Sequence, residues 1–399
     1  MATLKKTMFE EVRFADAKSV LDSRTLGYNQ IRLLPKGRNL RPIMNLRRRV
    51  MAKRGPKTLG PSINTILKPV HTFLKLEGAR NPEKLGSTLF SVNDIYTKLK
   101  SFKASLGPNH QPLYFAKVDV HAAFDTIPQD AVVRLMGSVP SQEQYEIAKH
   151  AEVTPGERSV AEAARTVTKP LCRWYATALG DGESANFPDR LETNLGTGKK
   201  NTVFIGTAAR RTYDAANLLG LLAEHVTRNL VKIGKKYYRQ KVGIPQGSIL
   251  SSFLCNYFYA DLEVRYLGFL NDGSSDSLLL RLVDDFLLIT LDKSKAVRFV
   301  ETMHRGIPEY GVDVNANKTM VNFDMELRDG PSEDVADTLT VEFGRCPGQN
   351  FERKVLNTFK IQSYHMFYDT EHNLTSTVLM TLYGAFCETA TKMWAYEPL

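Results

Sequence analysis

The chain has 399 residues, of which 43% are hydrophobic and 24% are charged, and its formal net charge is +10. This apolar fraction argues against a largely disordered chain, and at roughly 100–200 residues per domain the length predicts two or three domains. The sequence has no run near the ~20 apolar residues of a membrane helix and no secretory signal at its start. Its four scattered cysteines favour neither a disulfide scaffold nor a zinc ribbon, so we expect a reducing, intracellular setting.

The positive charge is concentrated at the beginning of the chain. Residues 1–60 contain fifteen Lys and Arg residues and four acids, a net charge of +11, which leaves −1 for the other 339 residues. A basic region beside neutral protein is typical of a face that binds polyanions. The alternative is a solvated surface with surplus lysine, but such a surface usually spreads its charge.

The first third of the chain is predicted to hold two helices and a basic hairpin. Helical spacing of apolar residues predicts helices over residues 1–24 and 85–106. Residues 31–35 and 41–46 are predicted strands, and the basic turn 35–39 between them favours a hairpin.

Residues 138–232 differ in character from the rest of the chain. They are nearly neutral, with twelve basic and eleven acidic residues, and they open with a polar helical pattern. A loop rich in Gly, Asn and Asp follows at 180–201, and an amphipathic helix is predicted over 213–233. We interpret this segment as a helical insertion.

The second half of the chain alternates predicted strands and helices. A strand is predicted at 237–242, followed by a turn that ends at Ser248, which is expected to cap the next helix. Later come a hairpin, a helix and a short strand, predicted over 278–291, 293–309 and 318–323 respectively.

Two groups of carboxylates carry the strongest chemical signal. Asp284 and Asp285 lie together inside an apolar run, where two charges are costly unless something compensates them. Asp119 ends another strand-like run, 113–120, and a predicted helix over 128–137 follows it. Acids at the ends of neighbouring strands can share Mg²⁺ ions, which prefer oxygen ligands and can activate a 3′-hydroxyl. A merely polar turn between two strands is the alternative interpretation of Asp284 and Asp285.

The sequence around these acids resembles the ordered motifs of reverse transcriptases. The segments similar to motifs 1, 2, A, B, C and D are, in chain order, residues 34–36, 40–43, 119–128, 243–251, 280–287 and 310–323. Within this superfamily the Leu-Val-Asp-Asp sequence at 282–285 and the long segment between motifs A and B resemble telomerase reverse transcriptases. The chain is similar to the fingers and palm core of that family's catalytic subunit, in a fungal-like form.

The resemblance implies an α+β fold, the right-hand polymerase fold with fingers and palm. An antiparallel palm sheet would pack on helices, the fingers would carry the helical insertion, and the thumb would be largely absent. It also implies a fragment that lacks the N-terminal domain and most of the RNA-binding domain. The implied regions, in chain order, are the end of the RNA-binding region with the fingers, a first palm segment, the insertion, a second palm segment, and the palm end with the start of the thumb, over residues 1–112, 113–137, 138–232, 233–348 and 349–399.

The resemblance also implies roles for individual residues. Asp119, Asp284 and Asp285 are the catalytic acids, and together with the Val120 carbonyl they would hold two Mg²⁺ ions. The residues that would contact the incoming nucleotide are Lys36, Arg41, Phe124, Gln246, Gly247 and Lys318. Those that would contact nucleic acid are Arg38, Arg47, Arg48, Arg49, Cys346 and Gly348, the last two from a weak motif E.

The implied activity is RNA-templated synthesis of DNA at chromosome ends, in the nucleus and at the telomeric region. Its partners would be a telomerase RNA template, a single-stranded telomeric DNA primer, deoxynucleoside triphosphates and telomerase accessory proteins, with no membrane. Two alternatives stay open at this stage. One is a retroelement or intron-encoded reverse transcriptase, and the other is an inactive nucleic-acid-binding scaffold of the same fold.

Overall fold

A computed structural model describes residues 8–24, 26–36, 39–49, 59–106, 112–155, 170–180, 186–314, 318–325, 368–370 and 373–396. The chain divides into two compact units, residues 1–333 and 334–399. All three sheets described below belong to the first unit.

A four-stranded antiparallel sheet, in the order β10-β11-β4-β12, forms the palm. Its strands are β4 (Tyr114–Asp119), β10 (Ser277–Leu282), β11 (Asp285–Thr290) and β12 (Met320–Val321). Alternate residues of β4 are buried, as expected for a sheet with one covered face. The helix Lys293–His304 packs on β4 and β11, and the helix Ser251–Tyr266 contacts the same face through the rings of Tyr259 and Phe286. The predicted hairpin over 278–291 and the predicted strand over 113–120 are therefore confirmed.

A five-stranded sheet carries the basic hairpin. Its order is β1-β9-β8-β2-β3, and its strands are β1 (Phe9–Val12), β2 (Asn29–Lys36), β3 (Asn39–Met44), β8 (Leu230–Ile233) and β9 (Lys236–Gln240). The pair β2–β3 is antiparallel, which confirms the predicted hairpin, and β2 pairs in parallel with β8. The hairpin is thus joined to the end of the segment 138–232, through Val231 and Lys232.

The prediction of a helical insertion is wrong for its central part. Residues 138–232 contain a three-stranded antiparallel sheet in the order β6-β5-β7, formed by β5 (Gln144–Thr154), β6 (Leu171–Leu179) and β7 (Val203–Asp214). The middle strand buries consecutive residues such as Ile147 and Ala148 instead of alternating ones. An apolar pattern without period two does not distinguish a strand from a helix, which explains the wrong prediction.

The remaining helices connect these sheets. In chain order they are Phe14–Ser23, Ile63–Ile66, Lys68–Arg80, Val92–Ser105, Ala123–Thr126, Gln129–Met136, Phe187–Arg190 and Ala215–Thr227, with a π-helical turn at Leu191–Leu195 and 3₁₀ turns at Pro82–Leu85, Gly268–Leu270 and Pro308–Tyr310. Several predicted helices are too long at one end, because strand β1 and short 3₁₀ turns occupy parts of the predicted ranges.

Ser248 does not cap the helix that follows it, so this prediction is wrong. The helix begins at Ser251, and Leu250 is the residue before its first turn. Ser248 lies three residues before the helix, where its Oγ accepts a hydrogen bond from the Leu250 amide at 3.2 Å. The Ser248 hydroxyl therefore bonds a backbone amide of the turn and not one of the helix.

The second unit contains the helix Thr375–Tyr396 among its described residues. In the stretches of chain that the structure describes, no helix has both the length and the apolar character needed to span a membrane.

Candidate active site

The three predicted catalytic acids meet at one end of the palm sheet. Leu282 pairs with Asp285, so the tip of the β10–β11 hairpin consists of Val283 and Asp284, and Asp285 is the first residue of β11. Asp285 lies directly opposite Asp119 of β4. The amide of Val120 donates to the carbonyl oxygen of Asp284 at 3.1 Å. Strand pairing therefore brings together the acids from two distant regions of the sequence.

The hairpin tip holds a residue in an unfavourable backbone conformation. Val283 has φ +60°, in the left-handed region that a β-branched residue rarely adopts. Conformations of this kind cost roughly 1–3 kcal/mol and cluster at functional sites, where the surrounding structure enforces them. Here the strand pairs on both sides of the two-residue turn enforce it and fix the position of Asp284.

The electrostatics of the acid group favour a bound cation. Burial raises the pKa of Asp284, and the negative charges of Asp285 and Asp119 raise it further. Lysine ammonium groups contact the two flanking acids: Lys117 Nζ lies 3.4 Å from Asp285 Oδ1, and Lys318 Nζ lies 3.2 Å from Asp119 Oδ2. The site is thus rich in negative charge that positive groups already offset in part.

The residues at the sheet end fit a hard divalent cation by their donor chemistry. Among the described residues, no three His, Cys, Asp or Glu side chains form a ready-made metal-binding group. However, Asp119, Asp284 and Asp285 offer carboxylate oxygens, the ligand type that Mg²⁺ prefers, and Mg²⁺ commonly needs only one or two carboxylates together with substrate phosphates. Burial and the acidic neighbours raise the pKa of Asp284, because they disfavour its negative charge. A bound divalent cation would stabilise that charge.

The turn that follows β9 packs closely on the residues after Asp119. Gly243 has φ +73°, and a Cβ placed there would lie 2.5 Å from the Phe124 carbonyl oxygen, so glycine is required. The Ile244 amide donates to that same oxygen at 2.7 Å. The Gln246 side chain donates to Asp125 Oδ1 at 2.8 Å, so this predicted nucleotide contact is bonded to the protein itself.

The same turn is also joined to the basic hairpin. Gly247 has φ +101°, and a Cβ at this position would lie 2.5 Å from the Met44 carbonyl oxygen. The Met44 amide donates to the Gln246 carbonyl at 2.9 Å, and Asn64 Nδ2 donates to the Gly247 carbonyl at 3.1 Å. Sequence reasoning missed Asn64, because no local pattern marks an asparagine that bonds residues so far along the chain.

The other residues that were predicted to contact the incoming nucleotide lie on four different elements or segments of the chain. Arg41 is exposed on β3, and its positive charge acts on Asp284, whose pKa it lowers against the larger effects of burial and acidic neighbours. Lys36 is the last residue of β2. Lys318 contacts Asp119, as described above, and Phe124 is partly buried and packs against the core.

The predicted nucleic-acid contacts are less closely tied to the site. Arg47 and Arg48 are exposed after β3. Arg49 is exposed, but its guanidinium donates to the carbonyls of Leu59 and Gly60 at 2.7 and 3.0 Å, so it already bonds the protein itself. Three further predicted contacts lie outside the described residues, namely Arg38, Cys346 and Gly348.

The sequence is similar to those of known reverse transcriptases. A family model described as reverse transcriptase (RNA-dependent DNA polymerase) matches residues 197–343. Telomerase reverse transcriptase of Canis lupus familiaris is 32% identical over 90% of this chain and 35% of its own length. That of Bos taurus is 30% identical over 96% of this chain and 37% of its own length. The chain therefore spans about a third of the length of these relatives.

Solved structures agree on the fold. Telomerase from Candida albicans, in complex with a TWJ fragment of telomeric RNA, matches with a TM-score of 0.61 at 18% identity, over 99% of this chain and 59% of that one. Apo telomerase from Candida tropicalis matches with a TM-score of 0.53 at 18% identity, over 80% of this chain and 46% of that one. Our expectation of a fungal-like form stays a prediction. The fold is the fingers and palm of a polymerase, and over most of its length the chain is similar in sequence to telomerase reverse transcriptases.

Proposed function

We propose that the chain is an RNA-templated DNA polymerase that adds deoxynucleotides to the 3′ end of DNA. The observation that carries this proposal is the convergence of Asp119, Asp284 and Asp285 at the end of the palm sheet. The matching reverse transcriptase model supports the reaction type. The chain spans about a third of the length of these relatives, and we propose that this segment carries the polymerase chemistry.

In this proposal Asp119 and Asp284 would hold two Mg²⁺ ions, with Asp285 as a weaker ligand, and the Val120 carbonyl would complete one site. Such ions supply activation of a 3′-hydroxyl and neutralisation of the leaving pyrophosphate. The protein's role is to fix the carboxylates. The β4–β11 pairing and the Val120–Asp284 hydrogen bond perform that task, since both belong to the backbone.

The incoming nucleotide would lie between the basic hairpin and the acids. Arg41 and Lys36 would contact its triphosphate, for which a guanidinium offers paired donors and an ammonium offers a point charge. Lys318 would leave Asp119 to contact the pyrophosphate or donate a proton to it. Phe124 would pack under the sugar and disfavour a 2′-hydroxyl.

The turn at residues 246 and 247 would form another wall of the nucleotide site. Glycine at 247 allows the backbone to approach closely, which supports this role. The side chain of Gln246 is bonded to Asp125, so its role would be to hold the turn in place. Template and duplex backbone would then contact Arg47 and Arg48, which are exposed beyond β3.

We further propose that the template is a telomerase RNA and the primer is single-stranded telomeric DNA. The relatives are named telomerase reverse transcriptase, and the Candida albicans telomerase was solved with a fragment of telomeric RNA. The nucleus and the telomeric region of chromosomes would be the site of action, with accessory proteins as further partners. The relatives do not favour a retroelement enzyme.

The decisive experiment is primer extension on an RNA–DNA hybrid with Mg²⁺ and deoxynucleoside triphosphates. We expect extension by the wild type, none after chelation, and a loss of about 10²–10³-fold in Asp284→Ala, since removal of a group that stabilises transition-state charge commonly costs about that much. Asp130→Ala, which removes an exposed acid from the helix Gln129–Met136, is the matched control and should retain activity. Extension by Asp284→Ala at the control's rate would refute the proposal.

The RNA partner needs a separate experiment. The full-length native protein should be purified from its own cells, and the RNA that copurifies should be sequenced. We expect enrichment of one RNA with a short repeated template. Recovery of long, diverse RNAs instead would assign the chain to a retroelement type of enzyme.

A further inference from the structure

A buried histidine of the insertion contacts the turn beside the candidate nucleotide site. His225 lies in the helix Ala215–Thr227 with 1% of its surface exposed. Its Nε2 lies 2.9 Å from the Oγ of Ser248. Ser248 immediately follows Gly247, and neither His225 nor this hydroxyl has a role in the function proposed above.

The chemistry of this pair defines its hydrogen bonds. Burial lowers the pKa of His225 to about 3, and the positive charge of Arg24 lowers it as well, so the ring is neutral at physiological pH. Ser248 Oγ accepts the amide hydrogen of Leu250 at 3.2 Å and also shares a hydrogen bond with Nε2 of the neutral ring, in which the tautomer of His225 decides which atom donates. The hydrogen bond to the imidazole therefore fixes the Ser248 hydroxyl. The hydroxyl in turn bonds the Leu250 amide, in the backbone just before the helix Ser251–Tyr266.

The other bonds of the same turn show what His225 adds. Asn64 donates to the Gly247 carbonyl and accepts from the Ile249 amide at 3.2 Å, and the basic hairpin bonds the Gln246 carbonyl through Met44. These contacts hold backbone groups on both sides of Ser248. The contact from His225 holds the Ser248 side chain, and it comes from the insertion.

We propose that His225 is a positioning residue, which fixes the turn 246–250 through the Ser248 hydroxyl and thereby sets the affinity for the incoming nucleotide. This inference rests on the function proposed above for its link to nucleotide binding. A residue that acts only on binding changes KM and leaves kcat nearly unchanged, whereas loss of a chemical group lowers kcat. The proposal thus differs in its kinetic result from a catalytic role and from a role in stability alone.

The test compares His225→Ala, Ser248→Ala and their double variant in two measurements. Hydrogen exchange of the 247–250 amides should become about five- to ten-fold faster in each variant, the change expected from losing one hydrogen bond of about 1–1.4 kcal/mol. The KM for deoxynucleoside triphosphates should rise by a similar factor, with kcat within about two-fold. The double variant should resemble Ser248→Ala, because that variant already removes the bond to His225 together with the bond from the Leu250 amide.

Two controls separate positioning from a general loss of packing. His150→Ala removes an equally buried histidine from β5, where its ring bonds Glu152, and should leave the turn's exchange and the KM unchanged. His225→Gln, which can place a polar atom near the lost Nε2, should recover some of the nucleotide affinity. If His225→Ala does not fold, His225→Gln and Ser248→Ala still test the bond, and exchange is then compared at the 247–249 amides, because Ser248→Ala also removes the acceptor of the Leu250 amide.

The hydrogen-exchange result tests the role of His225, and primer extension by the wild type tests the proposed polymerase function. Unchanged exchange at 247–250 in both single variants would overturn the inference, whether or not the protein extends primers. Independent effects that multiply in the double variant would also overturn it. A wild type that extends no primer would refute the proposed function, and in that case the exchange result still decides whether His225 positions the turn.

Discussion

Arg281 offers the sharpest test of how the catalytic hairpin is held. This arginine lies on β10, three residues before Asp284, and its side chain is completely buried. Its guanidinium donates to the Glu263 carboxylate, to the side chain and the carbonyl of Asn256, to Thr88 Oγ1 and to the carbonyl of Leu85. Its buried charge is thus fully compensated, and the bonds join the hairpin to the helix Ser251–Tyr266.

We expect Arg281→Ala to destabilise the protein by about 3–5 kcal/mol, the typical result of removing one partner from a buried ion pair. The cost arises because Glu263, which is 6% exposed, would lose the guanidinium that donates to it, and Lys98 would act on its charge only through an electrostatic interaction. Ser87 would still donate its amide and hydroxyl to this carboxylate, at 2.8 and 2.7 Å, but neutral donors compensate a charge less well. Such a loss is a large fraction of the roughly 5–15 kcal/mol that a native protein commonly has.

The free energy of unfolding should be measured by urea denaturation, followed by circular dichroism. Arg298→Ala is the control, because this exposed arginine lies over the ring of Phe269 at 4.1 Å and such a contact is worth about 0.5–1 kcal/mol. The double variant Arg281→Met with Glu263→Gln removes both charges and should recover a large fraction of the loss. A loss below about 1 kcal/mol for Arg281→Ala, or a double variant that equals the sum of its single variants, would refute the reasoning.

Two further predictions concern the turn and the acids. Gly243→Ala should lower the free energy of unfolding by about 2–4 kcal/mol, because of the positive φ and the contact with the Phe124 carbonyl. The control Gly268→Ala, where a Cβ meets open space, should lower it by less than about 1 kcal/mol. Equal midpoints of urea denaturation for the two variants would contradict this. Asp284→Asn should raise the Tm in EDTA by about 2–4 °C, because burial and its acidic neighbours raise the pKa of this carboxyl. The folded protein keeps this proton to a higher pH than the unfolded chain, so the advantage should grow as pH rises through that pKa. Mg²⁺ should raise the Tm of the wild type only, and an equal rise in both proteins would contradict a metal role for Asp284.

Elements specified by local sequence could be predicted. The basic hairpin follows from two apolar runs and turn-forming residues between them, and the β10–β11 hairpin follows from two apolar runs around a pair of acids. The tip itself is shifted by one residue from its predicted place, because Val283 occupies a turn position that local preferences would give to Gly or Asn. The place of the three acids at strand ends could be predicted because each borders an apolar, strand-like run, and their catalytic role stays a prediction.

Features that depend on distant partners could not be predicted. The bond between Gln246 and Asp125 joins residues 121 positions apart, and Lys318 and Asp119 are 199 positions apart. No periodicity or turn rule encodes such pairs, since they exist only after the sheets have formed. The burial of Arg281 is of the same kind, because an arginine in an apolar run is tolerable only where folding supplies its acid.

The lysines at the acids do not prevent a cation from binding there. The side chains of Lys318 and Lys117 are 42% and 47% exposed, so each ion pair lies in contact with solvent. Exposed pairs of this kind contribute about 0–1 kcal/mol, and a long lysine side chain can move into water at little cost. A divalent ion between Asp119 and Asp284 would interact with two carboxylates at once. Asp284 is partly buried, and burial and its acidic neighbours raise its pKa. The released ammonium groups would then lie beside the position proposed for the triphosphate, close to the basic hairpin that carries Arg41. The positive charge in residues 1–60 and the lysines of the palm would therefore act on the same anionic ligand, from two sides of the acids.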